Sequence, residues 1–198
     1  MTTNKHRHIA AAHKQPRSGN VNLESARSAD KPQPVNADAG PEAQPLDRNS
    51  ALLLKIQHLL ENGHVQAAFD AAKGASGVNQ RLKNAYGVCL LRLGDSTRAI
   101  TVFRDLALMS GGVCLRTDAP LTFKTNFATA LLMANNVSGC LTILHELRDE
   151  KDETIENLWS AIRKWEAGMS TTQGILWRFF QTAPNRPIVL DFVPGDMI

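Results

Sequence analysis

"NAYGVCLLRLGDSTRAITVFRDL", residues 84–106, has the pattern of a helix, a tight turn and a second helix. Gly94 is placed to end the first helix in the left-handed conformation, which glycine adopts without a Cβ penalty. Ser96 follows where an N-cap would start the second helix. This stretch therefore predicts a helical hairpin.

The hairpin recurs in the chain. Residues 82–106 align without a gap over residues 123–147, an offset of 41. The matched pairs are Lys83 with Lys124, Tyr86 with Phe127, Gly87 with Ala128, Leu90-Leu91 with Leu131-Leu132, Ala99 with Cys140, Thr101 with Thr142, Phe103 with Leu144 and Leu106 with Leu147. Asn135 replaces Gly94 in the turn, and Ser138 is expected to cap the following helix. A repeated hairpin predicts a stack, because one hairpin alone cannot bury its apolar face.

An earlier and weaker copy spans residues 52–75, "LLLKIQHLLENGHVQAAFDAAKGA". It keeps Gly63 in the turn and Ala68 as a small residue in the second helix, but Lys55 stands at the position that Tyr86 has in residues 82–106. We interpret it as a divergent first repeat that caps the array.

These positions resemble the tetratricopeptide repeat family, in which about 34 residues pair an A helix with a B helix. The family's large, small, turn, small and aromatic positions hold Tyr86, Gly87, Gly94, Ala99 and Phe103. The resemblance implies an all-α fold of antiparallel helical hairpins stacked as a short solenoid. Gly87 and Ala99 are then expected to face each other across the hairpin, with Phe103 filling the space beyond them.

Composition separates this array from its flanks. No Phe, Trp or Tyr precedes Phe69, and five of the nine prolines fall in the first 45 residues, so this part has little apolar surface to bury. The expected boundaries are a disordered basic and Pro-rich tail at 1–48, a repeat domain at 49–183 and an extended segment at 184–198. Within the domain we expect repeats at about 49–78, 80–110 and 120–149, and capping helices at 152–182.

Two regions allow more than one interpretation. The extra length between the copies lies in "SGGVCLRTDAP", residues 110–120, which suits either a structured loop on a binding face or a longer connection. Six of the eleven aromatic residues lie in the last forty positions. They suit either a lid over the end of the array or a docking patch for a partner.

The first part of the chain is a basic arm: Lys5, Arg7, Lys14 and Arg17 all precede the first acidic residue, Glu24. Such an arm is able to contact nucleic acid, an acidic membrane surface or an acidic protein. We expect a solvated tail instead, because no aromatic residue is interleaved to stack on bases. His6, His8 and His13 have loose metal-ligand spacing but no ordered surroundings to orient the rings, so no metal site is expected.

Signals of catalysis and of export are absent from the sequence. The chain has no phosphate-binding loop, no G-x-G-x-x-G, no G-x-S-x-G and no H-E-x-x-H, so we expect neither catalysis nor a cofactor. His145 and Glu146 suit a solvated helix face. No secretory signal or membrane span is visible, and a mitochondrial transit peptide stays open. Three cysteines without metal-ligand spacing suit a reducing compartment, so a cytoplasmic location is expected.

The resemblance also implies a function: a non-catalytic adaptor that binds a peptide or helix of a partner protein in a concave groove lined by the A helices. Carried over by position, the groove residues are Arg81, Asn84, Val88, Leu91, Arg92, Thr122, Thr125, Thr129, Leu132 and Met133. The family's co-chaperone subgroup grips a carboxylate with lysines and asparagines, of which only Asn84 has a match here. The alternative function is an accessory factor that contacts nucleic acid or an acidic membrane surface through the basic arm.

Overall fold

The computed structural model describes residues 47–77, 79–180, 183–184 and 186–197. The interpretations placed on residues 1–46, namely the Pro-rich tail, the basic arm and its three histidines, lie outside these residues.

Eight α-helices make up the described part of the chain, with no strand in it beyond one isolated bridge. They are α1 (Arg48–Glu61), α2 (Val65–Lys73), α3 (Gln80–Arg92), α4 (Ser96–Ala107), α5 (Leu121–Met133), α6 (Val137–Glu146), α7 (Glu153–Ala167) and α8 (Thr171–Phe180). This confirms the all-α expectation. Helix α1 begins at Arg48, inside the range that the sequence assigned to the tail.

The turns after α1, α3 and α5 have one geometry. Gly63, Gly94 and Asn135 have φ values of 75°, 81° and 60°, as the left-handed turn position requires. In the second turn the Gly94 amide donates to the Leu91 carbonyl and the Asp95 amide to the Leu90 carbonyl, and the same two bonds recur in the other turns. This is the Schellman motif, which satisfies carbonyls that a helix end leaves unpaired.

The expected serine caps are wrong. The Asp95 carboxylate accepts a hydrogen bond from the Arg98 amide at 3.0 Å, and the Asn136 side chain accepts one from the Gly139 amide at 2.9 Å. The N-cap is therefore the residue directly after the left-handed one. Because the Schellman motif already turns the chain, the next helix begins without a spacer.

Packing follows chain order, since each helix from α1 to α5 packs against the next. The odd-numbered helices also contact one another, α1 with α3, α3 with α5 and α5 with α7. Within the α3–α4 hairpin a Cβ built on Gly87 would lie 2.6 Å from Cζ of Phe103. The Phe103 ring therefore occupies the space that a side chain at Gly87 would take. Ala99 is also buried.

Residues 108–116 form a structured loop. Leu108 and Leu115 pair in an antiparallel bridge, and the Arg116 amide donates to the Ala107 carbonyl at 2.8 Å. The Leu115 amide reaches the Glu146 carboxylate of α6 at 3.4 Å. The loop is thus anchored to the even-numbered helices α4 and α6.

The late aromatic residues divide between two environments. The Trp165 and Trp177 rings meet edge to face at 5.4 Å, and the Trp177 indole donates to Glu166 at 2.9 Å. Phe179 and Phe180 of α8 are 77% and 70% exposed. Trp165 and Trp177 are therefore buried against each other, whereas Phe179 and Phe180 are largely exposed. Among the described residues no helix combines the length and apolarity needed to cross a bilayer.

Candidate functional site

The candidate site is the surface formed by the odd-numbered helices α3, α5 and α7, here called the odd-helix face. It is occupied by residues 186–197 of the same chain, here called the docked segment. The segment contains no helix or strand. Its polar contacts run from the end of α7, at Trp165 and Gly168, to the first half of α3, at Asn84.

The docked segment alternates like an extended strand. Ile188, Leu190 and Phe192 pack against the core, whereas Val189 and Val193, at alternate positions, are 83% and 65% exposed. Alternation with a period of two is what an extended backbone on a surface produces, because successive side chains point to opposite sides. The segment therefore lies on the helices as an extended peptide ligand would.

The buried amide of Asn126 recognises the backbone of Asp196 from both sides. Its Nδ2 donates to the Asp196 carbonyl at 2.9 Å, and its Oδ1 accepts from the Asp196 amide at 2.9 Å. Asn84 Nδ2 donates to the same carbonyl at 3.1 Å, and Asn84 Oδ1 accepts from Asn126 Nδ2 at 2.9 Å. Two side chains thus satisfy both the backbone N–H and the backbone C=O of one residue, which offsets the cost of burying their own amides.

The residue before Asp196 sits in a site that fits only glycine. Gly195 is buried with φ 83°, and a Cβ built on it would lie 3.2 Å from both Leu91 Cδ1 and Val88 Cγ1. An L side chain is disfavoured there both by the backbone conformation and by the contact. Arg92 holds the chain on either side of this point, since its guanidinium donates to the Pro194 carbonyl at 3.4 Å and the Gly195 carbonyl at 3.2 Å.

Helix α7 holds the rest of the segment. The Trp165 indole donates to the Arg186 carbonyl at 3.0 Å, and the Arg186 guanidinium donates to the Gly168 carbonyl at 2.6 Å. Lys164 pairs with Asp191, and its hydrogen bond lowers the pKa of that exposed carboxyl. Exposed ion pairs of this kind contribute little to stability.

The carboxylate of Asp196 also has a partner on α7. Its Oδ2 accepts a hydrogen bond from the Thr154 hydroxyl at 2.7 Å. Asp196 thus connects three odd-numbered helices through its backbone and side chain.

Four of the ten residues assigned to partner binding contact the docked segment: Asn84, Val88, Leu91 and Arg92. The other six are placed differently. Arg81 is exposed one turn before Asn84. The hydroxyls of Thr125 and Thr129 donate to the carbonyls of Thr122 and Thr125 in their own helix, Leu132 is buried, and Met133 packs against the core.

Asn126 is the residue of the candidate site that the repeat alignment missed. The alignment places it opposite Ala85, an ordinary packing position. The signal for it is local: α5 is mostly apolar, and Asn126 lies at the centre of its sequence with no exposed surface. A polar amide in such a helix needs a partner, and here that partner comes from residues 70 positions away.

The histidine and the buried cysteines outside the odd-helix face are explained by packing. The His145 ring meets Trp159 edge to face at 5.5 Å. Burial raises the pKa of the Cys89 thiol to about 11 and that of Cys140 to about 12, so both are protonated near neutral pH. Within the described ranges, no group of three or more His, Cys, Asp or Glu side chains is arranged to hold a metal ion.

Comparison with known proteins returned no match: no family model fits the chain, and no significant similarity was found to a curated protein or a solved structure.

Proposed function

We propose that this chain is a protein–protein interaction module, without catalysis of its own, that binds an extended segment of a partner protein on the odd-helix face. The observation that carries the proposal is the double hydrogen bond between Asn126 and the backbone of Asp196. Side chains that bond to main-chain atoms recognise an extended peptide as such, in the way that a neighbouring strand does.

Further support comes from the packing and from the sequence. Val88 and Leu91 supply an apolar floor, and Arg92 supplies charge-assisted donors aimed at carbonyls. The resemblance to tetratricopeptide repeats, which rests on the spacing of Tyr86, Gly87 and Phe103, favours the same use of the first helix of each hairpin.

Site-specific photo-crosslinking tests the proposal. A photoreactive residue at exposed Arg81, on α3 beside the face, should capture partner proteins, and the matched position at exposed Thr101 on α4 should not. Capture at position 81 should fall at least fivefold in the double variant Asn84→Ala/Asn126→Ala and in the presence of excess peptide of residues 186–197.

Equal capture from positions 81 and 101 would contradict the proposal. So would capture that depends only on the basic arm, measured after Lys5, Arg7, Lys14 and Arg17 are each replaced by Gln. The second result would favour the alternative, an accessory factor that contacts nucleic acid or an acidic membrane surface.

A further inference from the structure

Each contact of the docked segment restricts the sequence that fits the odd-helix face. The glycine site is the strongest restriction. Gly195 combines a left-handed φ of 83° with Cβ contacts of 3.2 Å to two buried side chains. A ligand without glycine at this position meets backbone strain together with tight Cβ contacts.

The position after the glycine is also restricted. Asp196 must keep its amide N–H for Asn126, which excludes proline. Its carboxylate accepts from Thr154 at 2.7 Å, and five positions earlier Asp191 pairs with Lys164. Lys164 therefore favours an acidic residue at the position of Asp191, and Thr154 favours a hydrogen-bond acceptor at the position of Asp196.

The preceding residues add an apolar pattern. Ile188, Leu190 and Phe192 are the side chains that pack inward, while Val189 between the first two is exposed. The ligand class is thus an acidic, extended segment with inward apolar residues at alternate positions, followed by Gly-Asp.

The docked segment is held by side-chain hydrogen bonds to its backbone, which another extended segment can make in its place. Its ion pair is exposed, its side chains are half-buried or outward, and it has no backbone hydrogen bonds of a helix or sheet to break. Because it is tethered to the face, however, its effective concentration is of millimolar order. A free ligand must compete with it. The apparent affinity therefore equals the intrinsic affinity multiplied by the fraction of time that the face is open.

Resting on the proposed function, we infer that the odd-helix face selects partner segments with an acidic, alternating apolar sequence ending in Gly-Asp, and that the docked segment is the internal competitor that such a partner displaces.

Peptide binding to the full-length chain tests this inference. The probe is a fluorescein-labelled synthetic peptide, IVLDFVPGDM, which copies residues 188–197. The Gly195→Val chain carries a docked segment that no longer fits but keeps the face intact. It should bind the probe at least tenfold more tightly than the wild-type chain does, as measured by fluorescence anisotropy.

Two controls make the result specific. The chain with both Gly195→Val and Asn126→Ala should lose at least tenfold in affinity, because the face is then defective. A probe with Val in place of its glycine should not bind the Gly195→Val chain. Asp196→Pro serves as a second releasing variant, and circular dichroism checks that each chain keeps its helices.

If the probe bound neither of the two releasing variants, the inference would be overturned. If partner capture at position 81 persisted in that case, the proposed function would stand with a different ligand class; if capture also failed, both would fall. A stable complex between the Gly195→Val chain and the Asn126→Ala chain, without binding of the free probe, would assign the face to a second copy and also overturn the inference.

Discussion

Gly87 is the residue at which the packing of the α3–α4 hairpin is tightest. A Cβ there would lie 2.6 Å from Cζ and 2.7 Å from Cε1 of Phe103, so the buried ring would have to move. We expect Gly87→Ala to lower the free energy of unfolding by roughly 1 to 3 kcal/mol through overpacking. Urea denaturation followed by circular dichroism measures this change.

The repeat itself indicates which second substitution should compensate for Gly87→Ala. The second copy carries Ala128 and Leu144 at the positions of Gly87 and Phe103. Adding Phe103→Leu to Gly87→Ala should therefore cost less than the sum of the two single changes. Gly174→Ala is the control, since a Cβ at Gly174 meets nothing within 4 Å. Strict additivity of the two hairpin changes would contradict the argument.

Asn135 is a second residue at which the copies can be compared. It has φ 60° without being glycine, and its Oδ1 is buried with no hydrogen-bond partner among the residues described. We expect Asn135→Gly to raise the free energy of unfolding by about 1 kcal/mol, because it removes both the strain and the unpaired oxygen. Thermal and urea unfolding measure the change.

The reciprocal substitution tests the same reasoning. Gly94→Asn places an amide at φ 81° in the equivalent turn and should lower stability by a similar amount. A loss of stability on Asn135→Gly would show that the Asn135 side chain contributes an interaction that outweighs its strain.

At the scale of the helices, the sequence predicts what local chemistry controls. The turns at Gly63, Gly94 and Asn135 follow from the few residue types that tolerate positive φ, so they are readable without a structure. The caps were misplaced because serine is a good N-cap anywhere, and only the hydrogen bonds of the turn reveal that Asp95 already occupies the position.

The docked segment lies beyond what helix patterns predict. Its alternating residues predict an extended conformation, but not the surface on which they lie. That placement depends on contacts that Gly195 and Asp196 make with distant residues such as Asn126, and these contacts form only in the folded chain. The candidate site was thus half predictable: the family resemblance implied which helices form the face, and nothing in the sequence indicated its occupant.

At the scale of the whole molecule, the docked segment connects helices that otherwise contact mainly their neighbours. Asp196 alone bonds to Asn84 of α3, Asn126 of α5 and Thr154 of α7. In a repeat array stability is close to a sum of nearest-neighbour terms, so its ends open separately unless something joins them. The segment supplies such a connection.

The buried thiols report on this connection. Cys89 lies on α3 and Cys140 on α6, and burial raises their pKa values to about 11 and about 12. At pH 8 both are therefore protonated and inaccessible in the folded chain, and they react with iodoacetamide only after the surrounding helices open. The exposed Cys114 should react at once and serves as the internal standard.

Labelling in increasing urea, followed by mass spectrometry, gives an opening free energy for each buried thiol. In the wild-type chain the two values should agree within about 0.5 kcal/mol, because helices joined by the docked segment open as one unit. In the Gly195→Val chain they should separate, since α3 and α5 lose their shared contact with Asp196. Different values in the wild-type chain, or equal values in both chains, would mean that direct helix packing alone sets the cooperativity of this fold.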